Sequence, residues 1–203
     1  MRRILAIWVG LGLIYATFLY WHLPLAPALA PDEWRKAAQD ARLDTRELPP
    51  AFPAFFDGDD GRPFLMINIL DHAQSAEYPA GQFPEITDAA KAARIYGSGV
   101  IPELLVRGSY PLLQATRISI LLDDIPAQTD RFETFAVVRY RSRRDFLDLI
   151  LDPDFQGLTV HKWASLDGTI VIPAHLVLAS NLTLWVPVGL MGLGLALMAW
   201  RRS

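Results

Sequence analysis

Two uncharged apolar runs, one near each end of the chain, constrain its fold most. Residues 4–21 read ILAIWVGLGLIYATFLYW, and residues 182–200 read LTLWVPVGLMGLGLALMAW. At about 1.5 Å per residue the first run makes a helix of roughly 27 Å, close to the roughly 30 Å hydrocarbon core of a bilayer. Both runs therefore predict membrane-spanning helices, and the residues between them must supply any water-soluble structure.

The N-terminal run also fits a cleaved signal peptide. Arg2 and Arg3 form a basic start, and APALA at 26–30 ends in an Ala-x-Ala pattern. The apolar run is nevertheless longer than the roughly 7–15 residues typical of a signal peptide. Cleavage would also leave Pro31 as the first mature residue, which peptidases generally resist. These two features favour a retained anchor.

Basic residues flank the two predicted spans on the same side. Arg2 and Arg3 precede the first, and Arg201 and Arg202 follow the second. The positive-inside rule then predicts a multi-pass protein of the cell (inner) membrane, with both termini cytoplasmic and the centre extracytoplasmic. The lipid bilayer is its first predicted partner. The expected organisation is an anchor at 1–22, a proline-rich approach with a short helix at 23–61, a domain at 62–175, and a second membrane helix with a basic tail at 176–203.

The central segment alternates strand-like and helix-like patterns. Apolar β-branched runs predict strands, while capping residues and helical periodicity predict helices. The predicted order is strand 64–70, helix 87–106, strand 110–122, strand 131–141, helix 142–151 and strand 163–173. This βαββαβ order predicts an α+β class fold, a ferredoxin-like sandwich flanked by the two transmembrane helices.

Three proline- or aspartate-rich stretches are predicted to lie outside regular structure. LPPAFPAFF at 48–56 has too many prolines for a regular helix or a central strand. DGDDGR at 57–62 lacks the glycine and acid positions of a calcium loop and predicts a polar turn. DPDF at 152–155 is likewise interpreted as a turn that closes the second helix.

The predicted sheet has one face under its helices and one face left open. Because strand side chains alternate, Leu65, Ile67 and Ile69 share one face of the first strand. This purely aliphatic set is expected beneath the helices. The open face would then be too apolar to stay in water, which predicts a homodimer through that face. Its expected members are Met66, Asn68, Phe135, Val137 and Arg139.

Several stretches together resemble a known family. They are FLMINIL, YPAG, an alanine-rich helix ending in RIYG, VVRYRSRRDFLDLILDPDF and HKWASL. They resemble the uncharacterised DUF family numbered 1330, of the dimeric α/β-barrel superfamily, over about residues 62–173. The resemblance implies a ferredoxin-like protomer that dimerises sheet to sheet, with a pocket between sheet and helices. It implies no settled activity, because the family is uncharacterised.

Composition and motifs exclude several kinds of site. A net charge of −3 gives no indication of nucleic-acid binding. The absence of cysteine excludes disulfides and thiolate chemistry. The sequence contains no phosphate loop, no Ser-His-Asp spacing and no zinc motif, and its histidines lack metal-ligand spacing. No metal and no cofactor are therefore expected.

A few polar residues are candidates for chemistry. His161, His72 and Arg139 are the candidate catalytic residues: a histidine titrates near working pH, and Arg139 is expected on the open sheet face among apolar side chains. The candidate ligand-binding residues are Asn68, Arg139, Tyr96 and Tyr110.

Two functional classes remain open. One is a binding or scaffold module for a small molecule. The other is a cofactor-light oxygenase or isomerase acting on a small apolar or acidic substrate, in which Arg139 and Asn68 stabilise an anion.

Overall fold

A computed structural model describes residues 2–43, 49–79, 81–120, 131–177 and 182–200. The basic residues Arg201 and Arg202 and the end of the predicted strand at 110–122 lie outside these residues. The chain divides into two compact units, residues 1–25 with 176–203, and residues 26–175. The elements are α1 Arg2–His22, α2 Pro31–Asp40, α3 Ala51–Asp57, β1 Phe64–His72, α4 Ala89–Val106, β2 Tyr110–Thr116, β3 Thr134–Tyr140, α5 Arg143–Leu151, α6 Pro153–Ala164, β4 Leu166–Ala174 and α7 Leu182–Trp200.

The unit at 26–175 contains a four-stranded antiparallel sheet in the order β2-β3-β1-β4. Strand β1 pairs with β3 and β4, and β3 pairs with β2. Helix α4 connects β1 to β2 across β3, and α5 with α6 connects β3 to β4. The predicted α+β class is therefore confirmed, with the second crossover helix divided in two.

The prediction of a turn at 152–155 is wrong, because a helix begins there. The Asp152 side chain accepts a hydrogen bond from the backbone N–H of Asp154 at 2.9 Å and caps α6. Pro153 takes the first helical position, where its fixed φ suits the helix and its missing N–H costs nothing. His161 and Lys162, expected at the start of the last strand, consequently lie in the last turn of α6.

The exclusion of helix from residues 48–56 is also wrong. Helix α3 runs over Ala51–Asp57 and contains Pro53 as its third residue. A proline is tolerated there because N–H groups of the first turn have no partner within the helix. The polar turn predicted at 57–62 is present from residue 58, with Gly61 at a φ of +71°. Its N–H donates to Asp59 Oδ1 at 3.0 Å.

The core lies between the sheet and its helices. Phe64 of β1 stacks on Tyr140 of β3 at a centroid distance of 5.1 Å, and both rings contact Phe146 of α5. Trp34 of α2 and Phe56 of α3 belong to the same buried cluster. The segment expected as an approach to the domain therefore supplies part of its core.

The two faces of β1 are reversed relative to the prediction. Phe64, Met66 and Asn68 are buried on the helix-covered face, so Leu65, Ile67 and Ile69 lie on the open one. The large Phe64 and Met66 side chains fill the space under the helices. Register places Leu65 opposite Arg139, Ile67 opposite Val137 and Ile69 opposite Phe135. The prediction of open-face residues is therefore correct for Phe135, Val137 and Arg139 of β3 and wrong for Met66 and Asn68 of β1.

The unit of residues 1–25 and 176–203 is an antiparallel helix pair. The Tyr15 hydroxyl of α1 donates to the Thr183 carbonyl of α7 at 2.9 Å. A Cβ at Gly194 would lie 2.8 Å from the Trp8 ring, so the glycine makes room for the indole. Among the described residues one helix, at Ile4–His22, is long and apolar enough to cross a membrane, and a signal sequence would meet the same criterion. The apolar helix described at Trp185–Trp200 is shorter.

Candidate functional site

Three elements of the unit at 26–175 bring a lysine, an asparagine and a tyrosine together beneath the helices. Lys162 Nζ of α6 donates to Asn68 Oδ1 of β1 at 3.3 Å. The same Nζ lies 5.8 Å from the ring centroid of Tyr96 on α4. We call Lys162, Asn68 and Tyr96 the lysine cluster. Asn68 reaches it because it lies on the covered face, where its Nδ2 also donates to the Met66 carbonyl at 3.2 Å.

Close packing of α4 on α6 positions the cluster. A Cβ at Gly99 would clash with the Leu158 side chain, so the glycine allows the two helices to approach. Lys162 lies one turn after Leu158, and Tyr96 lies one turn before Gly99. Residues three and four apart share a helix face. The contact at Gly99 therefore aligns Lys162 with Tyr96.

The Lys162 ammonium has no carboxylate within ion-pair distance in the described part of the chain. Lys162 keeps some solvent exposure as a whole residue. Burial nonetheless lowers the pKa of its ammonium from 10.5 to about 8. Burial raises the pKa of Tyr96 to about 12, so its hydroxyl stays protonated at working pH. The cluster thus joins a partly neutral amine to a neutral phenol.

A buried hydroxyl lies near the cluster on the same sheet face. Thr169 Oγ1 of β4 is buried and has no hydrogen-bond partner within the described residues. Register places Asn68 opposite Val171 and Thr169 opposite Leu70. Thr169 is therefore a diagonal neighbour of Asn68, a separation of about 7–8 Å between Cα atoms in an antiparallel pair.

An open pocket of about 470 Å³ adjoins the last turns of α6. The Trp163 indole is 58% exposed, lines the pocket and lies 5.4 Å from Lys162 Nζ. The pocket therefore reaches the indole that borders the lysine cluster. Its lining residues are Glu77, Tyr78, Pro79, Thr159, Val160, Trp163 and Ala164.

His161 contacts Tyr78, one of the residues that line the pocket, and its ring packs against aromatic side chains. Its Nδ1 lies 2.8 Å from the Tyr78 hydroxyl, and the ring of Phe83 lies 4.7 Å away between centroids. Tyr78 and Phe83 were not predicted as site residues, because only their long-range contact with α6 reveals them. His161 is buried, and its ring is already engaged by the Tyr78 hydroxyl and the Phe83 ring.

Arg139 and Asn68 do not lie together within one protomer, so the prediction that they form a common anion site there is wrong. Asn68 pairs with Ala136, whereas Arg139 pairs with Leu65, so the two side chains project from opposite faces. Arg139 Nη1 donates to the Gly108 carbonyl at 3.3 Å, and its guanidinium lies 5.4 Å from the Tyr110 ring. Arg139 and Tyr110 do lie together, as two members of the predicted ligand set.

His72 lies at the end of β1, where the register with β4 is irregular. It is four residues beyond Asn68, roughly 13 Å along a strand. The structure therefore gives the two predicted catalytic histidines separate surroundings. The described residues also contain no group of three or more histidine, aspartate or glutamate side chains that could hold a metal ion.

Comparison with known proteins shows a shared fold. No family model matches the chain, and no curated protein matches it. The crystal structure of RPA0582, a protein of unknown function from Rhodopseudomonas palustris, has a TM-score of 0.56 at 20% identity, covering 65% of this chain and 95% of that one. Its methylated form gives 0.57 at 22% identity, covering 66% and 95%. At such identity the likeness shows the fold alone.

More distant similarity extends to a hydroxynitrile lyase from Passiflora edulis. That structure has a TM-score of 0.38 at 13% identity, covering 59% of this chain and 98% of the other. A match at this level carries no argument about activity.

The depressed pKa of Lys162 predicts a specific pH dependence of stability. Its pKa is about 8 when folded and 10.5 in the reference state, so the unfolded chain binds more protons between these values. The free-energy cost of burying the charged ammonium is therefore fully present below pH 8 and decreases as the pH rises. We expect the unfolding free energy of the native chain, relative to Lys162→Met, to rise by about 2 kcal/mol from pH 7 to 9.5.

Denaturant unfolding of both proteins at the two pH values measures this difference. Lys91→Met, at an exposed lysine of α4, is the matched control and should show no such change. If the unfolding free energies of the native chain and Lys162→Met differ by the same amount at both pH values, the lowered pKa assigned to Lys162 is wrong.

Proposed function

We propose that the chain is a membrane-anchored module that binds a small molecule at the lysine cluster. The observation that carries the proposal is the Lys162 ammonium, which lacks a carboxylate partner among the described residues. A buried charge normally requires a partner, because removing it from water is costly. An acidic group on a ligand would supply that partner.

The surroundings of Lys162 favour a ligand with a small apolar body. The rings of Tyr96 and Trp163 flank the ammonium, and the buried Thr169 hydroxyl adds one unused polar group on the same sheet face. Small-molecule sites typically combine such apolar walls with a few polar groups that fix orientation. The open pocket beside Trp163 would serve as the entrance.

A set of small aromatic and aliphatic carboxylates tests the proposal. Titration calorimetry on the full chain in detergent micelles should detect at least one binder. Lys162→Met should weaken its affinity by roughly 10- to 100-fold, because a hydrogen bond to a charged group is worth about 1.5–3 kcal/mol. Lys91→Met should bind as the native chain does. Equal affinities for both variants, or no binding by any carboxylate, would refute the proposal.

An enzyme that uses Arg139, Asn68 and His161 on one substrate receives little support. Arg139 and Asn68 project from opposite sheet faces, and His161 is engaged with Tyr78. A catalytic role for His72 stays a prediction. The small-ligand site is therefore the better-supported function.

We also propose that two copies associate through the open sheet face. This face presents partly exposed apolar side chains, with Leu113 at 54%, Ile170 at 43% and Ile172 at 42% exposure. Burial of such surface contributes about 25 cal/mol per Å². A second copy offers the same apolar face, so one two-fold contact would cover both.

Val137→Asp tests the dimer. Val137 lies at the centre of the open face, opposite Ile67 and Leu113. A carboxylate there should convert a dimer to a monomer in sedimentation runs on the detergent-solubilised chain, while circular dichroism stays unchanged. Val106→Asp, at a residue 74% exposed, is the matched control and should remain dimeric. A monomeric native chain would rule the dimer out.

For the termini we propose a membrane hairpin with both ends in the cytoplasm. The antiparallel pairing of α1 and α7, through Tyr15 with Thr183 and Trp8 with Gly194, supports two spans that start and finish on one side. The arginines that flank both runs support the cytoplasmic assignment.

Reporter fusions test this topology. A reporter inserted at residue 60 should be active outside the cytoplasm, and one placed after residue 203 should be active inside it. The N-terminal sequence of the mature chain should begin at or near Met1. Reporters that both indicate the same compartment would show that one span is absent or that the first is removed.

A further inference from the structure

We infer that Lys162 is a nucleophilic amine that condenses with small aldehydes to form an imine. The inference rests on the proposed ligand site and names a second class of molecule that this site takes, small apolar carbonyl compounds. The proposed function requires only reversible binding at this site, whereas an imine is a covalent bond to Lys162.

The contacts of Lys162 distinguish it from a structural lysine. Its Nζ donates to the neutral Oδ1 of Asn68 at 3.3 Å, and the remaining described contacts are the faces of Tyr96 and Trp163. None of these groups is an anion that would stabilise the ammonium. Asn68 acts as a positioning residue, because its hydrogen bond holds the amine beside the rings of Tyr96 and Trp163.

Burial then makes the amine reactive near neutral pH. The pKa of Lys162 is lowered to about 8, so roughly half of it is neutral at pH 8. An ordinary exposed lysine with a pKa near 10.4 is less than about 1% neutral at that pH. The neutral amine is the nucleophile, and desolvated lysines of this kind form Schiff bases with carbonyl compounds.

The reaction needs no external oxidant or reductant. The Nζ lone pair forms a bond to the carbonyl carbon while the C=O π pair moves to oxygen, and a proton passes from nitrogen to that oxygen. The resulting carbinolamine loses its hydroxyl and the remaining N–H proton as water when the C=N bond forms. One amine and one aldehyde thus give one imine and one water.

The lysine content of the chain makes the test unusually direct. The sequence has three lysines, Lys36, Lys91 and Lys162. Lys36 on α2 and Lys91 on α4 are exposed and serve as internal references in the same molecule. Reactivity at each can be read separately from peptide masses.

The experiment is reductive trapping with benzaldehyde. The full chain in detergent micelles is incubated with the aldehyde and sodium cyanoborohydride at pH 7 to 9, and the labelled lysines are quantified by peptide mass spectrometry. At pH 8 we expect Lys162 to be labelled at least tenfold faster than Lys36 or Lys91. Equal or slower labelling of Lys162 would overturn the inference.

The pH profile gives a second readout. Labelling of Lys162 should rise about fivefold from pH 7 to pH 8 but less than twofold from pH 8 to pH 9, whereas that of Lys91 should rise about tenfold over each of these steps. Tyr96 on α4 is the titratable side chain in described contact with the amine, and its pKa of about 12 keeps it constant over this range. Asn68 on β1 and Trp163 on α6 do not titrate. A Lys162 profile that parallels that of Lys91 would contradict the assignment.

Variants separate this inference from the proposed function. Lys162→Arg should abolish fast labelling, and Lys91→Arg should leave it intact. If carboxylates bind in a Lys162-dependent way but Lys162 is not labelled preferentially, the imine chemistry is wrong and the binding site stands. If Lys162 is labelled preferentially and no carboxylate binds, the imine chemistry stands and the acidic ligand is wrong.

Discussion

The close approach of α4 and α6 at Gly99 is the contact on which the candidate site depends. Leu158 occupies the space that any side chain at position 99 would need. A second connection joins the C-terminal end of α4 to the N-terminal end of α6, where Arg107 pairs with Asp152, the residue that caps α6. These two contacts hold α6 against α4, with its last turn beside Tyr96. Lys162 in that turn reaches Asn68 of the sheet.

The arginine-rich segment after β3 has a structural explanation in the same unit. Arg144 pairs with Glu33 of α2, and Arg143 Nη1 donates to the Phe55 carbonyl of α3 at 2.8 Å. These side chains hold α2 and α3 against α5, and Trp34 and Phe56 then complete the core. The arginines thus attach the segment before β1 to the domain.

The sequence predicted the order of strands and crossover helices because local signals determine it. Asp88 and Ser142 cap α4 and α5, and β-branched runs form the strands. The faces of β1 were mispredicted because both of its alternating sets are mainly apolar, so alternation gives no contrast. Helix α6 was missed because Pro153 suggests a turn when the Asp152 cap is not recognised. In the lysine cluster Lys162 meets residues 66 and 94 positions earlier in the chain, and no local pattern could reveal these contacts.

The other cations of this unit make the surroundings of Lys162 more informative. Arg107 pairs with Glu103 and Asp152, Arg141 with Asp145, and Arg144 with Glu33. Each of these three arginines thus lies beside a carboxylate. A cation kept for structure alone at position 162 would be expected to follow the same pattern, since a partner offsets the cost of burial. A methionine of similar length would fill the space without that cost. Titratable groups that are destabilised by burial cluster at functional sites. An ammonium that lacks a carboxylate among the described residues is therefore consistent with the proposed acidic ligand.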